Sequence, residues 1–166
     1  MRLVAERLGN ILEYKGFSFA KEISESLILE KNKLQLTAGF VIIQNNKILL
    51  THPTGAPWKH SFSIPKGYIE EGEDFLDTAI RETAEEIGIK IKRRDIISGP
   101  HFLDYLTEKY KLYKRIYYFV VSPSIPISKK DIRLQKSEID YADFLNKMEA
   151  EKRILPRQKG VLKYLH

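Results

Sequence analysis

The chain has 166 residues, of which 43% are hydrophobic and 11% aromatic, and these values are typical of one globular domain rather than a disordered tail, a fibre or a coiled-coil rod. It carries no cysteine, which excludes a disulfide scaffold, a zinc ribbon, an iron–sulfur site and a thiol nucleophile. Its formal net charge is +6, from 28 basic and 22 acidic residues. The N-terminus is too charged for a signal peptide and no apolar run reaches the roughly 18 residues of a membrane span, so we expect a soluble, cytoplasmic protein without a membrane partner.

The first half of the chain predicts a hairpin followed by loops. We interpret residues 1–33 as an N-terminal extension packed on a domain formed by residues 34–166. Two apolar, β-rich runs, 37–43 and 48–51, flank an Asn-Asn turn and predict a β-hairpin. Proline and glycine then indicate a loop, after which residues 61–64 predict a short strand that leads into Pro65-Lys66-Gly67.

The second half begins with the clearest helix signal. Residues 74–87 predict an amphipathic helix with Asp74 as N-cap and Gly88 as C-terminal stop. Its expected core-facing stripe consists of Leu76, Ile80, Thr83 and Ile87. Further on we expect an interrupted strand at 89–97, a long strand at 110–121, a helix at 137–155 and a short helix at 158–165. This order predicts a mixed α/β domain with one sheet between helical layers.

Negative charge is concentrated in one short segment. Residues 67–89 contain eight acids and one base, Arg81, whereas the rest of the chain has 27 bases and 14 acids. On the predicted helix, Glu82, Glu85 and Glu86 share one side, away from the apolar stripe. Like charges at this spacing repel unless a cation neutralises them, and hard divalent cations prefer carboxylate oxygens. A solvated acidic face is the alternative explanation of these three glutamates.

The spacing around the glutamates is more specific than the glutamates themselves. It reads G-x5-E-x7-R-E-x-x-E-E-x-G from Gly67 to Gly88, followed by an aliphatic residue. This pattern resembles the signature of the Nudix hydrolases, with Thr83 at a position that more often carries an aliphatic residue. The approach through Pro65-Lys66-Gly67 also resembles Nudix proteins of the Pro-Lys-Gly type, and residues 1–33 lie outside the resemblance.

The resemblance implies a Nudix-type α/β/α sandwich with a mixed sheet, and metal-dependent hydrolysis of a nucleoside diphosphate linked to a group X. By position it makes Glu82 the catalytic base, Arg81 its orienting partner and Glu73 the partner of Arg81. The implied ligands of Mg2+ (or Mn2+) are Gly67 through its carbonyl, Glu82, Glu85 and Glu86. Some family members take the base from outside this box, for which the candidates are Asp104, Glu108 and Glu138.

Substrate contacts are predicted by weaker signals. Lys66 precedes Gly67 and is placed to contact a phosphate. Period-2 alternation along 109–120 predicts a strand face on which basic and aromatic side chains alternate, suited to phosphates and bases. The candidates are therefore Lys66, Lys111, Tyr113 and Arg115. A half-buried strand with a charged edge is the alternative, and Trp58 is either a packing residue or, if exposed, a stacking residue.

The expected substrate is a small polyphosphate or nucleotide, with a nucleoside triphosphate or dinucleoside polyphosphate first. Within the resemblance, RNA 5′ ends and diphosphoinositol polyphosphates are further candidates, and ADP-ribose fits the Pro-Lys-Gly type less well. The alternative function is a non-catalytic Nudix-fold module that binds RNA or a nucleotide through the basic surface. Oligomerisation stays open at this stage.

Overall fold

The computed structural model describes residues 34–166, so the predicted extension 1–33 lies outside the described residues. Six strands form the sheet: β1 (Gln35–Gln44), β2 (Lys47–Pro53), β3 (Lys66–Tyr68), β4 (Ile96–Leu106), β5 (Leu112–Val121) and β6 (Ile139–Leu145). The α-helices are α1 (Phe75–Ile87) and α2 (Lys147–Arg153), and the 3-10 helices are Arg93–Asp95, Lys129–Asp131 and Pro156–Tyr164. Across residues 34–166, none of the helices is both long and apolar enough to cross a membrane.

The sheet is mixed, with the strand order β4-β5-β1-β2-β6 and with β3 paired to β1. β1 and β5 run parallel, whereas the other pairs are antiparallel. The predicted hairpin is confirmed as β1 and β2, which meet at Ile43 and Ile48. β1 is therefore the strand around which the sheet is assembled, and it holds β3 and the Lys66–Tyr68 segment in place.

Alternate residues of β1 enter two separate cores, one on each face of the sheet. Leu36, Ala38 and Phe40 pack with α1, and Val41 packs on the other side with α2 and the Pro156–Tyr164 helix. Both faces of the sheet are thus covered by helical segments, which confirms the predicted α/β/α arrangement.

Helix α1 has the predicted ends. The Asp77 N–H donates to the Asp74 side chain at 2.7 Å, the reciprocal bond completes a capping box, and Gly88 ends the helix with φ 72°. The expected core stripe is rotated by part of a turn, because Phe75 and Ala79 are fully buried whereas Leu76 and Ile80 are only partly so. The helix therefore presents Thr83 and Ile87 to the core as predicted, with Glu86 also buried.

Three predicted elements are corrected by the structure. Residues 137–155 are not one helix, because 139–145 form β6 against the open edge of β2 and only 147–153 are helical. The strand predicted at 89–97 begins only at Ile96, after a 3-10 turn. Residues 61–64 form single bridges, Ser63 with Thr51 and Phe62 with Ile154, instead of a regular strand.

Candidate functional site

The predicted acidic box lies where β3 meets the C-terminal half of α1 and the first half of β1. Gly67 packs directly beneath the Glu82 carboxylate, so that any Cβ at this position would overlap it. Gly39 on β1 is equally constrained, since a side chain there would overlap the Pro65 carbonyl and Lys66. Two glycines thus allow the Pro65–Gly67 backbone to lie between the sheet and the helix.

Arg81 connects the loop before α1 to the helix. Its guanidinium donates to both carboxylate oxygens of Glu73 at 2.8 and 2.9 Å, and to the Tyr68 carbonyl at 3.0 Å. The same group donates to Glu82 at 2.8 Å and to Glu85 at 3.3 Å. Burial opposes ionisation of Glu73, but the hydrogen bonds from Arg81, the Glu70 N–H and Thr78, together with the charge of Arg81, outweigh it and keep the pKa of Glu73 below its usual value. The geometry matches the pairing that the sequence predicted for Glu73, Arg81 and Glu82.

The remaining carboxylates have too little positive charge around them. Burial raises the pKa of Glu82 despite its bond to Arg81, and burial raises the pKa of Glu86 to about 8 although Lys66 opposes the shift. Glu86 is 8% exposed, and its Oε2 is buried without a hydrogen-bond partner. Glu138 faces the same region and raises both pKa values further.

These groups line one cleft of about 220 Å³. Glu82, Glu85, Glu86 and Glu138 share it with two lysines, Lys66 and Lys114. Burial, together with the neighbouring Lys66, lowers the pKa of Lys114 to about 7. A larger groove of about 490 Å³ lies between residues 88–92 and 123–133, but it contains none of the box carboxylates. The smaller cleft is the candidate reaction site, because acidic and basic side chains line it together.

The donors in the cleft fit a hard divalent cation. They are carboxylate oxygens next to the Gly67 backbone. Among them, Oε2 of Glu86 is buried without a hydrogen-bond partner and is therefore available as an oxygen ligand. Within residues 34–166, no three acidic or histidine side chains converge on a single point. Glu82 and Glu85 instead lie on the Arg81 guanidinium, the nearest positive charge to both.

The structure brings only Lys66 of the predicted substrate contacts into this cleft. Arg115 is 2% exposed and bonds the Asp104 carboxylate with Nε at 2.6 Å and Nη2 at 2.8 Å. Tyr113 lies in the opposite core layer, where its ring meets Tyr105 edge-on. Lys111 is in the turn before β5, where its N–H donates to the Thr107 hydroxyl.

A register shift explains why the predicted basic–aromatic face is not formed. Leu112 pairs with Leu106 but Lys114 pairs with Tyr105, so Tyr113 is an extra residue in β5. The bulge changes the phase of the strand and directs Lys114 into the cleft, a residue that sequence reasoning did not select. Both faces of β5 are buried beyond this point, so the sequence carries no change of polarity that would have signalled the shift.

The three alternative bases have different surroundings. Asp104 is held by Arg115, and Glu108 is exposed in the β4–β5 turn. Glu138 lines the cleft, because the segment before β6 passes next to β2. Only Glu138 of these three is therefore near the box carboxylates.

Gln158 anchors the segment that leads to Gly67. Its side-chain oxygen accepts from the Ile64 N–H at 3.0 Å, and its amide donates to the Ser63 hydroxyl at 3.0 Å and to the Tyr105 hydroxyl at 2.9 Å. The side chain is fully buried. This amide ties the C-terminal 3-10 helix to the backbone two residues before Lys66.

A family model for the NUDIX domain matches residues 33–165. The chain belongs to the Nudix family. An ADP-ribose pyrophosphatase of Methanocaldococcus jannaschii is 31% identical over 86 residues, which are 49% of this chain and 51% of that protein. An asymmetrical bis(5′-nucleosyl)-tetraphosphatase of Mus musculus is 48% identical over 40 residues, 24% of this chain and 27% of that protein. The chain thus spans about half, or less, of the curated relatives it matches.

Solved Nudix structures share the fold. A C. elegans Ap4A hydrolase, solved as a binary complex, superposes with a TM-score of 0.60 at 25% identity, covering 78% of this chain and 93% of that chain. A MutT NUDIX hydrolase from Burkholderia pseudomallei gives a TM-score of 0.62 at 15% identity, covering 78% and 95%. The second likeness concerns the fold alone.

Proposed function

We propose that this Nudix protein is a metal-dependent pyrophosphohydrolase that cleaves a nucleoside diphosphate linked to a group X. The observation that carries the proposal is one cleft lined by Glu82, Glu85 and Glu86, by the Gly67 turn and by two lysines, Lys66 and Lys114. A pyrophosphate chain needs both halves of this arrangement. Lysines bind some of its negative phosphate oxygens. A cation that the carboxylates hold neutralises the charge of the remaining phosphate oxygens.

The Gly67 carbonyl, Glu82, Glu85 and Glu86 would hold Mg2+ or Mn2+. When bound, such a cation polarises the phosphoryl oxygens and lowers the pKa of a bound water. Lys66 and Lys114, which line the same cleft, bind the phosphate oxygens. The lowered pKa of Lys114 means that an arriving phosphate also favours protonation of this amine.

The proton of the attacking water goes to a carboxylate of the cleft. Glu82 is our first candidate, because Arg81 fixes one of its oxygens at 2.8 Å and burial raises its pKa toward neutrality. Arg81 is in turn oriented by Glu73. Glu138 is the alternative base, and Glu138→Gln distinguishes the two because Glu138 is not among the proposed Mg2+ ligands. A loss of kcat of about a hundredfold at saturating Mg2+ in this variant assigns the base to Glu138, and a kcat close to that of the wild type leaves Glu82 as the base.

For the substrate we propose a nucleoside triphosphate or a dinucleoside polyphosphate. The Ap4A hydrolase and tetraphosphatase names among the similar proteins support this choice, as do the two lysines of the cleft. The relative named as an ADP-ribose pyrophosphatase makes ADP-ribose the comparison that a screen must contain.

A phosphate-release screen with Mg2+ tests the proposal. The substrates are dinucleoside polyphosphates, nucleoside triphosphates, ADP-ribose, sugar nucleotides, diphosphoinositol phosphates and triphosphorylated RNA, with coupling enzymes that detect either product. We expect turnover of a triphosphate or dinucleoside polyphosphate that disappears with EDTA. Silence on every substrate with folded protein, together with retained nucleotide binding, would contradict the enzyme and support a binding module.

A further inference from the structure

Trp58 is the one tryptophan of the chain, and it is half exposed although a loop residue of this size usually packs inward. Its indole lies flat on the imidazole of His52, with ring centroids 4.1 Å apart and an interplanar angle of 5°. One face of the indole is therefore covered by a parallel ring, while 52% of the residue is open to solvent. We call this pair the Trp58 platform.

The lower ring of the platform is rigidly held. His52 is 1% exposed, and its Nδ1 lies 2.5 Å from the Asp140 carboxylate. Its Nε2 faces the carbonyls of Ala56 and Pro57 at 3.0 and 3.2 Å. Because both ring nitrogens are engaged, the imidazole cannot flip or tilt, and the indole above it keeps a fixed plane.

Two further aromatic rings lie against the indole. Tyr141 meets it edge-on at 5.5 Å, and Phe62 meets it at 5.6 Å with a tilt of 52°. Lys59 and His60 follow directly in the chain and are exposed. An exposed ring that is locked in orientation beside positive charge is preorganised to stack another planar ring that carries a phosphate.

The platform lies close to the carboxylate cleft. The Thr54 N–H donates to the Glu138 carbonyl at 2.9 Å and its hydroxyl donates to the Lys136 carbonyl at 2.9 Å, so the loop that carries Trp58 is attached to the cleft wall. From Glu138 to Tyr141 is three residues of extended chain, about 10 Å. An extended nucleoside polyphosphate bridges a distance of this order.

We infer that the Trp58 platform stacks the nucleobase of a nucleotide whose phosphates occupy the cleft. The inference rests on the proposed function in taking the cleft as the phosphate site. A nucleobase fits the open indole face because every base presents a flat π-surface, and stacking on an aromatic side chain tolerates different bases. The platform therefore contributes affinity for the nucleoside without selecting its identity.

Fluorescence of the single tryptophan reports on the platform directly. Wild-type protein with Mg2+ is titrated with AMP, which has no pyrophosphate bond to hydrolyse, and with ribose 5-phosphate, which has the same phosphate without the base. We expect saturable quenching by AMP and none by ribose 5-phosphate. Equal responses to the two ligands, or no response to AMP at millimolar concentration, would overturn the inference.

Variants then separate the platform from the hydrolase. Trp58→Ala should raise KM for a nucleotide substrate about fivefold or more, with kcat within twofold. Trp58→Phe should recover most of this loss, and Ile125→Ala, which shortens another exposed apolar side chain, should leave KM unchanged. An unchanged KM in Trp58→Ala would refute the platform while leaving hydrolysis intact. If no substrate is turned over at all, the proposed function fails, and the AMP titration still decides the platform.

Discussion

Arg115 and Arg81 both hold carboxylates, and their surroundings differ in charge balance. Arg115 on β5 is buried and holds the Asp104 carboxylate in a two-point ion pair. Arg81 on α1 is 29% exposed and is shared by three carboxylates, and two more, Glu86 and Glu138, line the same cleft. At Arg115, one positive charge is matched by the negative charge of Asp104. Around Arg81, the carboxylates outnumber the positive charges.

The difference separates a structural pair from a binding site. A balanced buried pair has no need of a further ion, because each desolvated charge has its partner. A buried carboxylate that lacks enough positive charge costs stability until a cation or a proton arrives. Burial accordingly raises the pKa of Glu86, whereas the hydrogen bonds and the positive charge around Glu73 keep its pKa low. Arg115 belongs to the first kind, although its place in the strand pattern predicted a substrate contact.

The largest effect is expected at Glu86. Glu86→Gln keeps the size of the side chain but removes a cation ligand, so kcat should fall about 10²–10³-fold with folding intact. The matched control is Glu151→Gln, an exposed glutamate on α2, which should retain activity within twofold. Steady-state kinetics and a melting curve measure both, and full activity in Glu86→Gln would remove this residue from the site.

Substitution in the Arg115–Asp104 ion pair should lower the stability of the protein and leave substrate binding unchanged. Arg115→Met leaves Asp104 without its partner and should lower the free energy of unfolding by about 2–3 kcal/mol, with KM unchanged. Arg93→Met breaks an exposed pair with Asp77 and should cost less than about 1 kcal/mol. Urea titration distinguishes the two, and a raised KM with unchanged stability in Arg115→Met would restore its predicted role at the substrate.

A smaller loss is expected where the loop is anchored to the C-terminal helix. Gln158→Leu removes three buried hydrogen bonds and should cost about 1–2 kcal/mol of stability. Since Ile64 lies just before the Gly67 turn, the Mg2+ concentration for half-maximal activity should also rise. Lys159→Leu, an exposed neighbour, is the control, and equal Mg2+ dependence in both variants would show that Gln158 only stabilises the fold.

The smallest effect is a pH dependence of the metal-free protein. Because burial raises the folded pKa of Glu86 above its ordinary value of 4.5, the contribution of this group to stability is complete below pH 4.5 and is lost as pH rises toward about 8. Relative to Glu86→Gln, the wild type should thus lose at least about 1 kcal/mol between pH 5 and pH 8. Chemical unfolding in EDTA at the two pH values measures this change, and a difference that stays constant would contradict the buried charge.

Helix α1 and the box were predictable because their signals are local. The caps at Asp74 and Gly88 and the spacing of Glu73, Arg81 and Glu82 depend on neighbours along the chain, and the structure reproduces each. The same argument covers the β1–β2 hairpin, whose turn is encoded in two asparagines with positive φ.

The elements that could not be predicted depend on strand pairing between distant segments of the chain. Residues 139–145 become β6 because β2 offers an unpaired edge, a fact that no window of sequence contains. Pro100 stands within β4, which tolerates it because β4 is an edge strand whose register shifts between Ser98 and His101. Lys114 reached the cleft through the bulge at Tyr113, which only the pairing of β5 with β4 defines.

The central claim is that the excess carboxylates of the cleft form a cation site, and thermal unfolding with and without Mg2+ at pH 8 tests it most directly. A cation that binds only the folded state raises Tm, by an amount that grows as its concentration exceeds Kd. We predict a rise in Tm for the wild type and for Glu151→Gln, and no rise for the double variant Glu82→Gln/Glu86→Gln. The same rise in all three proteins would contradict the assignment of the site.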